Sequence, residues 1–376
     1  MKALVKFELY KIFRQKSIYL ALILMLFLIT LSMGGQFGGS STSYYQSWEG
    51  ELTEEKVESA DAAWQAISAK YDGEDIQWSE EDRMNAGVLE AISNLHFREM
   101  QRAEQTEALK EYLYTAEQNG GRDYEQRKAE FHLSMLESFR INQFYYSRGA
   151  GEVIDFVNTF GLVISGALLL VGLASIFSNE YATGMDQFQL SSKLGRKQLV
   201  SAKIIASLMY LALVVFIWEV FSIIYQINKY GGGGWQSPVQ KLFKYSHSPY
   251  AMDLATYGFV QLGMHLLGAV GLVTVILLVS ALCRHTMLSF LISGTLFALP
   301  IVIVNILKID ISWLTSILQF SMTKVMAVEV LFMDFSTINV FGLPVLYPFV
   351  AIAVMVALIA LCLSLLYGTM RRKEVI

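Results

Sequence analysis

Residues 153–177 read VIDFVNTFGLVISGALLLVGLASIF, and the reading of this stretch decides the fold. One charge, Asp155, occurs in a run long enough to cross a bilayer. A spanning helix needs about 20 mostly apolar residues at 1.5 Å each. A barrel strand needs only about ten, in alternation, and this run neither alternates nor stops there. In lipid every backbone group must bond within the chain, so the stretch is read as a helix.

Five further stretches of the same kind flank it. They run from Ser17 to about Gly35, Lys203 to Ile227, Tyr257 to Leu282, Met287 to Val304 and Leu346 to Tyr367. The expected fold is an all-α polytopic membrane protein of about six spans. The first stretch has the basic front of a signal peptide. Its apolar core is longer than usual and no A-x-A-like site follows, so it is read as a retained anchor.

Charge is distributed unevenly around these spans. The chain of 376 residues is 54% hydrophobic and 16% charged, with a net charge of -4. Residues 37–151 hold 22 acids and 11 bases, and the remainder is basic by +7. An acidic polar block is therefore inserted in a basic, apolar chain. Lys2, Lys6, Lys11, Arg14 and Lys16 precede span one. Lys193, Arg196, Lys197 and Lys203 separate spans two and three, Arg284 separates four and five, and Arg371, Arg372 and Lys373 follow six. The opposite short loops hold only Lys229, Lys241, Lys244, Lys308 and Lys324. The positive-inside rule then places both termini in the cytoplasm and the acidic block outside a plasma membrane.

The expected organisation follows. Residues 1–16 form a cytoplasmic interfacial helix, with Val5, Leu9 and Ile12 on one face and Glu8, Lys11, Arg14 and Gln15 on the other. Span one occupies 17–36 and the extracellular block 37–151. Residues 152–376 carry spans two to six, a cytoplasmic loop at 178–202 and, at 305–345, short helices dipping into the outer leaflet, Trp313–Phe320 and Lys324–Phe332. Within the block, Ser79 followed by three acids is an N-cap. Its helix runs to the stop Asn119-Gly120-Gly121. Helices are also expected over Glu54–Lys70 and Asp123–Tyr146. The block's acidity is read as solvation.

Several chemistries find no motif. There is no G-x-x-x-x-G-K-[ST] phosphate loop, and Gly231–Gly234 lacks the Lys that would follow. There is no H-E-x-x-H, no paired Cys-x-x-Cys and no G-x-S-x-G. His96, His132, His247, His265 and His285 are scattered, and the two cysteines, Cys283 and Cys362, lie in or beside apolar runs. No metal site, no cofactor bound by the chain, no enzymatic activity of its own and no nucleic-acid partner are expected.

The informative loop reads FSNEYATGMDQFQLSSKLGR over 177–196, with Lys203 entering span three. Gly184 suits a turn at the membrane exit. Gln187–Ser192 can form a short helix presented to a partner's groove. Arg196 and Lys203 mark re-entry among headgroups. This loop, in this topology, resembles the permeases of type-2 ATP-binding-cassette (ABC) exporters. That family has an interfacial helix, six spans and an E-x-x-x-G loop followed by Arg and then Lys. Glu180, Gly184, Arg196 and Lys203 match those positions. The resemblance covers nearly the whole length except the acidic insert, where many members have a short loop. It implies half of a dimeric pore, paired with a second copy or a homologous permease. It implies also a separate cytoplasmic ABC ATPase, which would bring ATP and Mg. Glu180, Gly184, Met185, Asp186, Phe188, Arg196 and Lys203 would couple the two. The implied cargo is an antimicrobial peptide, a drug, another amphiphile or an ion.

Two ionisable groups fall inside spans. Glu219 and His265 lie at similar depth from the outer side and are expected to pair, as a polar contact or a structural hydrogen bond. Glu152 and Asp155 are read as helix N-terminal acids. The competing functional reading is a non-transporting sensor or scaffold whose outer domain binds a ligand. A proton-coupled carrier would need more buried carboxylates than Glu219.

Overall fold

The computed structural model describes residues 1–33, 43–71, 78–118, 123–185, 197–309 and 311–372. Five of its helical stretches are long and apolar enough to cross a membrane. They are Arg148–Ala182, Lys197–Tyr230, Leu254–Leu282, Thr286–Val304 and Tyr347–Arg372. A sixth is obtained if the pair Lys2–Phe13 and Lys16–Ser32, bent by 58°, counts as one span.

The chain begins with α1 (Lys2–Phe13) and α2 (Lys16–Ser32). A short α3 (Ser43–Gln46) and β1 (Gly50–Glu51) lead into the insert. Its helices are α4 (Glu54–Ala69), α5 (Glu80–Gln118) and α6 (Tyr124–Glu137). Thr53 and Asp123 cap α4 and α6 by accepting from Lys56 N and Gln126 N. β2 (Gln143–Phe144) returns antiparallel to β1, so the insert closes where it opened. Its core is its own, with Val57, Ala60, Leu89, Ile92, Leu95 and Phe144 all buried. Glu99 organises the return. It binds both Arg102 Nη2 at 2.6 Å and Ile141 N at 2.8 Å. Burial alone would raise this carboxyl, but those bonds and the Arg102 charge hold it below the usual range. Helix α6 ends at Glu137, short of the expected Tyr146, because residues 143–144 pair as strand instead.

The apolar core then follows. α7 (Arg148–Phe156) passes through a π-helical turn at Val157–Gly161 into α8 (Leu162–Leu173), and α9 (Ser178–Ala182) completes this stretch. α10 (Lys197–Tyr230) and α11 (Leu254–Leu282) cross next, then α12 (Thr286–Ile301). Since α10 starts at Lys197, residues 197–202 of the expected loop are helical. α11 is the central post, and small residues let its neighbours close on it. A Cβ at Gly268 would stand 2.7 Å from Met326 N, so only glycine admits the backbone there.

Residues 305–345 differ in detail from the expected pair of helices. Three short pieces, α13 (Ser312–Leu318), α14 (Met322–Ala327) and α15 (Glu329–Phe332), replace them. Val328, at φ 57°, breaks the second into two. A hairpin of β3 (Thr337–Val340) and β4 (Leu343–Leu346) then leads into α16 (Tyr347–Arg372). Among the described residues, two two-stranded sheets interrupt the helical elements.

The insert is fastened to the core at several points. Arg98 donates to Gln240 O, and Lys241 to Tyr145 O. Arg127 Nη1 donates to Gly342 O at 2.9 Å, and Tyr124 Oη meets Thr337 Oγ1 at 3.1 Å. The His132 ring stacks on Phe335 at 4.0 Å.

Candidate functional site: a buried charge cluster

At the face carrying the N-terminus, four charged side chains meet. Lys203 lies about 9 Å along α10 from Lys197, and it is 0% exposed. Its ammonium has three acceptors: Glu8 Oε2 at 3.0 Å, Glu180 Oε1 at 2.7 Å and Ile176 O at 2.9 Å. Those are all the donors a lysine owns. Lys11, half-buried, reaches the same two acids, at 2.8 Å from Glu8 Oε2 and 2.6 Å from Glu180 Oε1. Two acids and two bases cancel. A buried charge without a partner costs several kcal/mol, so neutrality is the condition for this site to exist.

The four residues come from three elements, which is the point of the arrangement. Glu8 and Lys11 ride on α1, Glu180 on α9, and Lys203 on α10. The cluster therefore locks the N-terminal helix and the segment after α8 onto a membrane helix. Here one expectation is corrected. Glu8 is 1% exposed and belongs to the inner stripe with Ile12, one turn on. The outward face carries Phe7 and Tyr10 instead, both more than half exposed. Glu8 turns inward because Lys203 awaits it; in a sequence alone, a glutamate is assigned to the wet side.

The approach of α9 is set by Ser280 of α11. Its hydroxyl donates to Ala174 O at 2.8 Å and accepts from Phe177 N at 3.1 Å and Ser178 N at 3.2 Å. All its hydrogen-bonding capacity is used at the end of α8, where helix termini leave groups unpaired. Gln15 Nε2 donates to Gly172 O at 3.1 Å and holds the α1–α2 elbow against α8. Beyond α9, Gly184 takes φ 71°, the turn expected of it, and Met185 is half exposed. Asp186, Phe188 and Arg196, with the expected helix at Gln187–Ser192, lie outside the described residues. A cleft of about 440 Å³ opens beside the cluster, lined among others by Lys11, Arg14, Gln15, Asn179 and Glu180.

The intramembrane pair is not formed. His265, fully buried, sits between Ser165 Oγ at 2.9 Å from Nε2 and Met326 O at 2.8 Å from Nδ1. Trp218 Nε1 donates to the same Ser165 oxygen at 3.1 Å. The directions follow from the end acceptor. Met326 O takes the Nδ1 proton, Nε2 takes the serine proton, and the serine oxygen takes the indole proton. This chain of three bonds has no gap for Glu219. Glu219 follows Trp218 and so points about 100° away around α10. Its Oε2 is buried and has no hydrogen-bond partner among the described residues. Depth was legible from spacing; azimuth was not.

Sequence reasoning singled out Glu180, Gly184 and Lys203 and missed Glu8 and Lys11. The signal that finds them is their i, i+3 spacing on a basic helix immediately before an apolar span. No protein-family model, no curated protein and no solved structure matches the chain.

Proposed function

We propose that the chain is the permease subunit of an ABC exporter. It forms the translocation path with a second copy or a homologous permease and takes its energy from a separate cytoplasmic ATPase. The cargo is a peptide, drug, other amphiphile or ion moving outward. Both termini are cytoplasmic and the insert is extracellular.

One observation carries the reading. Glu180 and Lys203, two positions of the resemblance, lie 2.7 Å apart in a buried cluster that also holds α1. An ATPase pushing on the segment after Glu180 would then move α1 and α10 as one body, because breaking the cluster strands a charge. The absence of a phosphate loop in the sequence agrees with an energy source on another chain.

The test is co-expression with a phosphate-loop ATPase encoded in a neighbouring reading frame. The complex is expected to co-purify, and the permease to raise ATP turnover. Glu180→Gln and Lys203→Met should retain binding and lose most of that stimulation. A permease that neither binds the ATPase nor alters its turnover overturns the proposal and leaves the sensor or scaffold reading.

A further inference from the structure

A cavity of about 340 Å³ lies at the seam between the insert and the start of α7. Its volume is at the lower end of small-ligand pockets. Tyr45, Met84, Val88 and Phe144 supply apolar and aromatic wall, and Leu242, packed against Gly151, adds to it.

The charges around it are unequal. Glu152 has Arg148 at 3.9 Å, and Asp155, with Lys244 at 3.7 Å, shares that cation with Glu329 at 3.0 Å. Neither acid falls in the first turn of α7, which begins at Arg148, so their expected role as N-terminal acids gives way to lining this cavity. Two cations remain. Arg83 is exposed at the rim and forms no ion pair among the described residues. Lys241 donates to Tyr145 O and lies 4.3 Å over the Phe144 ring, with no carboxylate in ion-pair reach among the described residues. Glu49 acts on it only at longer range and spends its Oε1 on Tyr146 N at 3.0 Å. Burial pushes the Lys241 amine down to about 7. A half-buried cation held by a carbonyl and a ring face lacks the counter-ion that such sites normally contain.

We propose that this cavity binds an amphiphile with one anionic group, the anion meeting Lys241 and Arg83 and the tail lying against Tyr45, Met84, Val88 and Phe144. Its source is either a lipid of the facing leaflet or a free carboxylate amphiphile. The inference stands whether or not the chain exports, because binding needs no ATPase.

The full-length chain in phosphatidylcholine nanodiscs tests it. Three diazirine-bearing probes of equal length are compared: octanoate, octanol and octyltrimethylammonium. Cross-links are mapped by mass spectrometry. The octanoate probe is expected to label the 83–91 helix segment and Leu242, with the alcohol roughly tenfold weaker for want of a charge-assisted bond. Lys241→Met should cut octanoate labelling by a similar factor. Gly87→Leu is the second variant. A Cβ at Gly87 meets nothing within 4 Å, so a side chain can start there on the cavity lining, and leucine suits the helix better than glycine. It should abolish labelling while raising stability. Suppression of the label by added phosphatidylglycerol identifies lipid as the source, and indifference identifies a free amphiphile; both retain the assignment. Labelling equal for the alcohol, stronger for the trimethylammonium probe, or unchanged in both variants overturns it.

Discussion

Lys203 places a formal charge in an apolar helix, and the cost of doing so decides how its neighbours behave. Removing one member of the cluster leaves an odd charge buried, at about 3–5 kcal/mol. Removing an acid and a base together restores neutrality. Glu180→Gln and Lys203→Met should therefore each lower the unfolding midpoint markedly, and the double variant should fall short of their sum by about 0.5–3 kcal/mol. Strict additivity in a denaturation cycle would show that the four groups do not act as a unit. Glu219 makes the opposite case. Its buried oxygen has no partner to lose. Glu219→Gln is expected to change stability by less than about 0.5 kcal/mol or to stabilise. A loss above about 2 kcal/mol in the same assay would reveal a partner for the carboxylate, as losing a buried charged hydrogen bond does.

The membrane helices were legible as elements because hydropathy is a property of single runs. The hairpin before α16 was not, because its turn violates local preference. Phe341 and Gly342 both have positive φ, at 52° and 85°, a turn that favours Asn-Gly. Phe341 is fully exposed, so its ring contributes no packing within the chain. Asn339 Oδ1 accepts from Gly342 N at 2.7 Å and helps hold the turn. Phe341→Asn should relieve about 1 kcal/mol of left-handed strain and slow hydrogen exchange across 337–346. Faster exchange would mean that lipid contact by the ring, not turn geometry, anchors the hairpin. Similarly, α1 was legible as an amphipathic helix while its polar stripe was assigned to the wrong side at Glu8. Periodicity reports which residues share a face. It does not report that a cation from α10 waits on the apolar one.

Across the molecule, the insert and the core meet through long side chains, and one of these gives the fold a pH signature. Lys241 binds its proton only below about 7 when folded but up to its ordinary 10.5 when unfolded. Between those values the unfolded chain holds more protons, so this group's contribution to stability rises with pH. Below about 7 both states are charged and the full burial cost applies. The stability of Lys241→Met should exceed that of the native chain most at neutral pH and below, and the difference should shrink toward pH 10.5. A difference constant over that window would show that Lys241 is already neutralised in the folded protein. The Glu49 charge works against burial and raises the midpoint, but it does not change the sign.

The two-rung pairing of Gly50 with Phe144 and Glu51 with Gln143 has a consequence for how this protein can be rebuilt. Paired strands stand only about 5 Å apart. Everything from 52 to 142 therefore departs from and returns to one point, and a two-residue Asn-Gly link can close the gap. A variant with such a link in place of 52–142 is expected to keep the charge cluster and to lose the seam cavity, because Arg83, Met84 and Val88 go with the deleted segment.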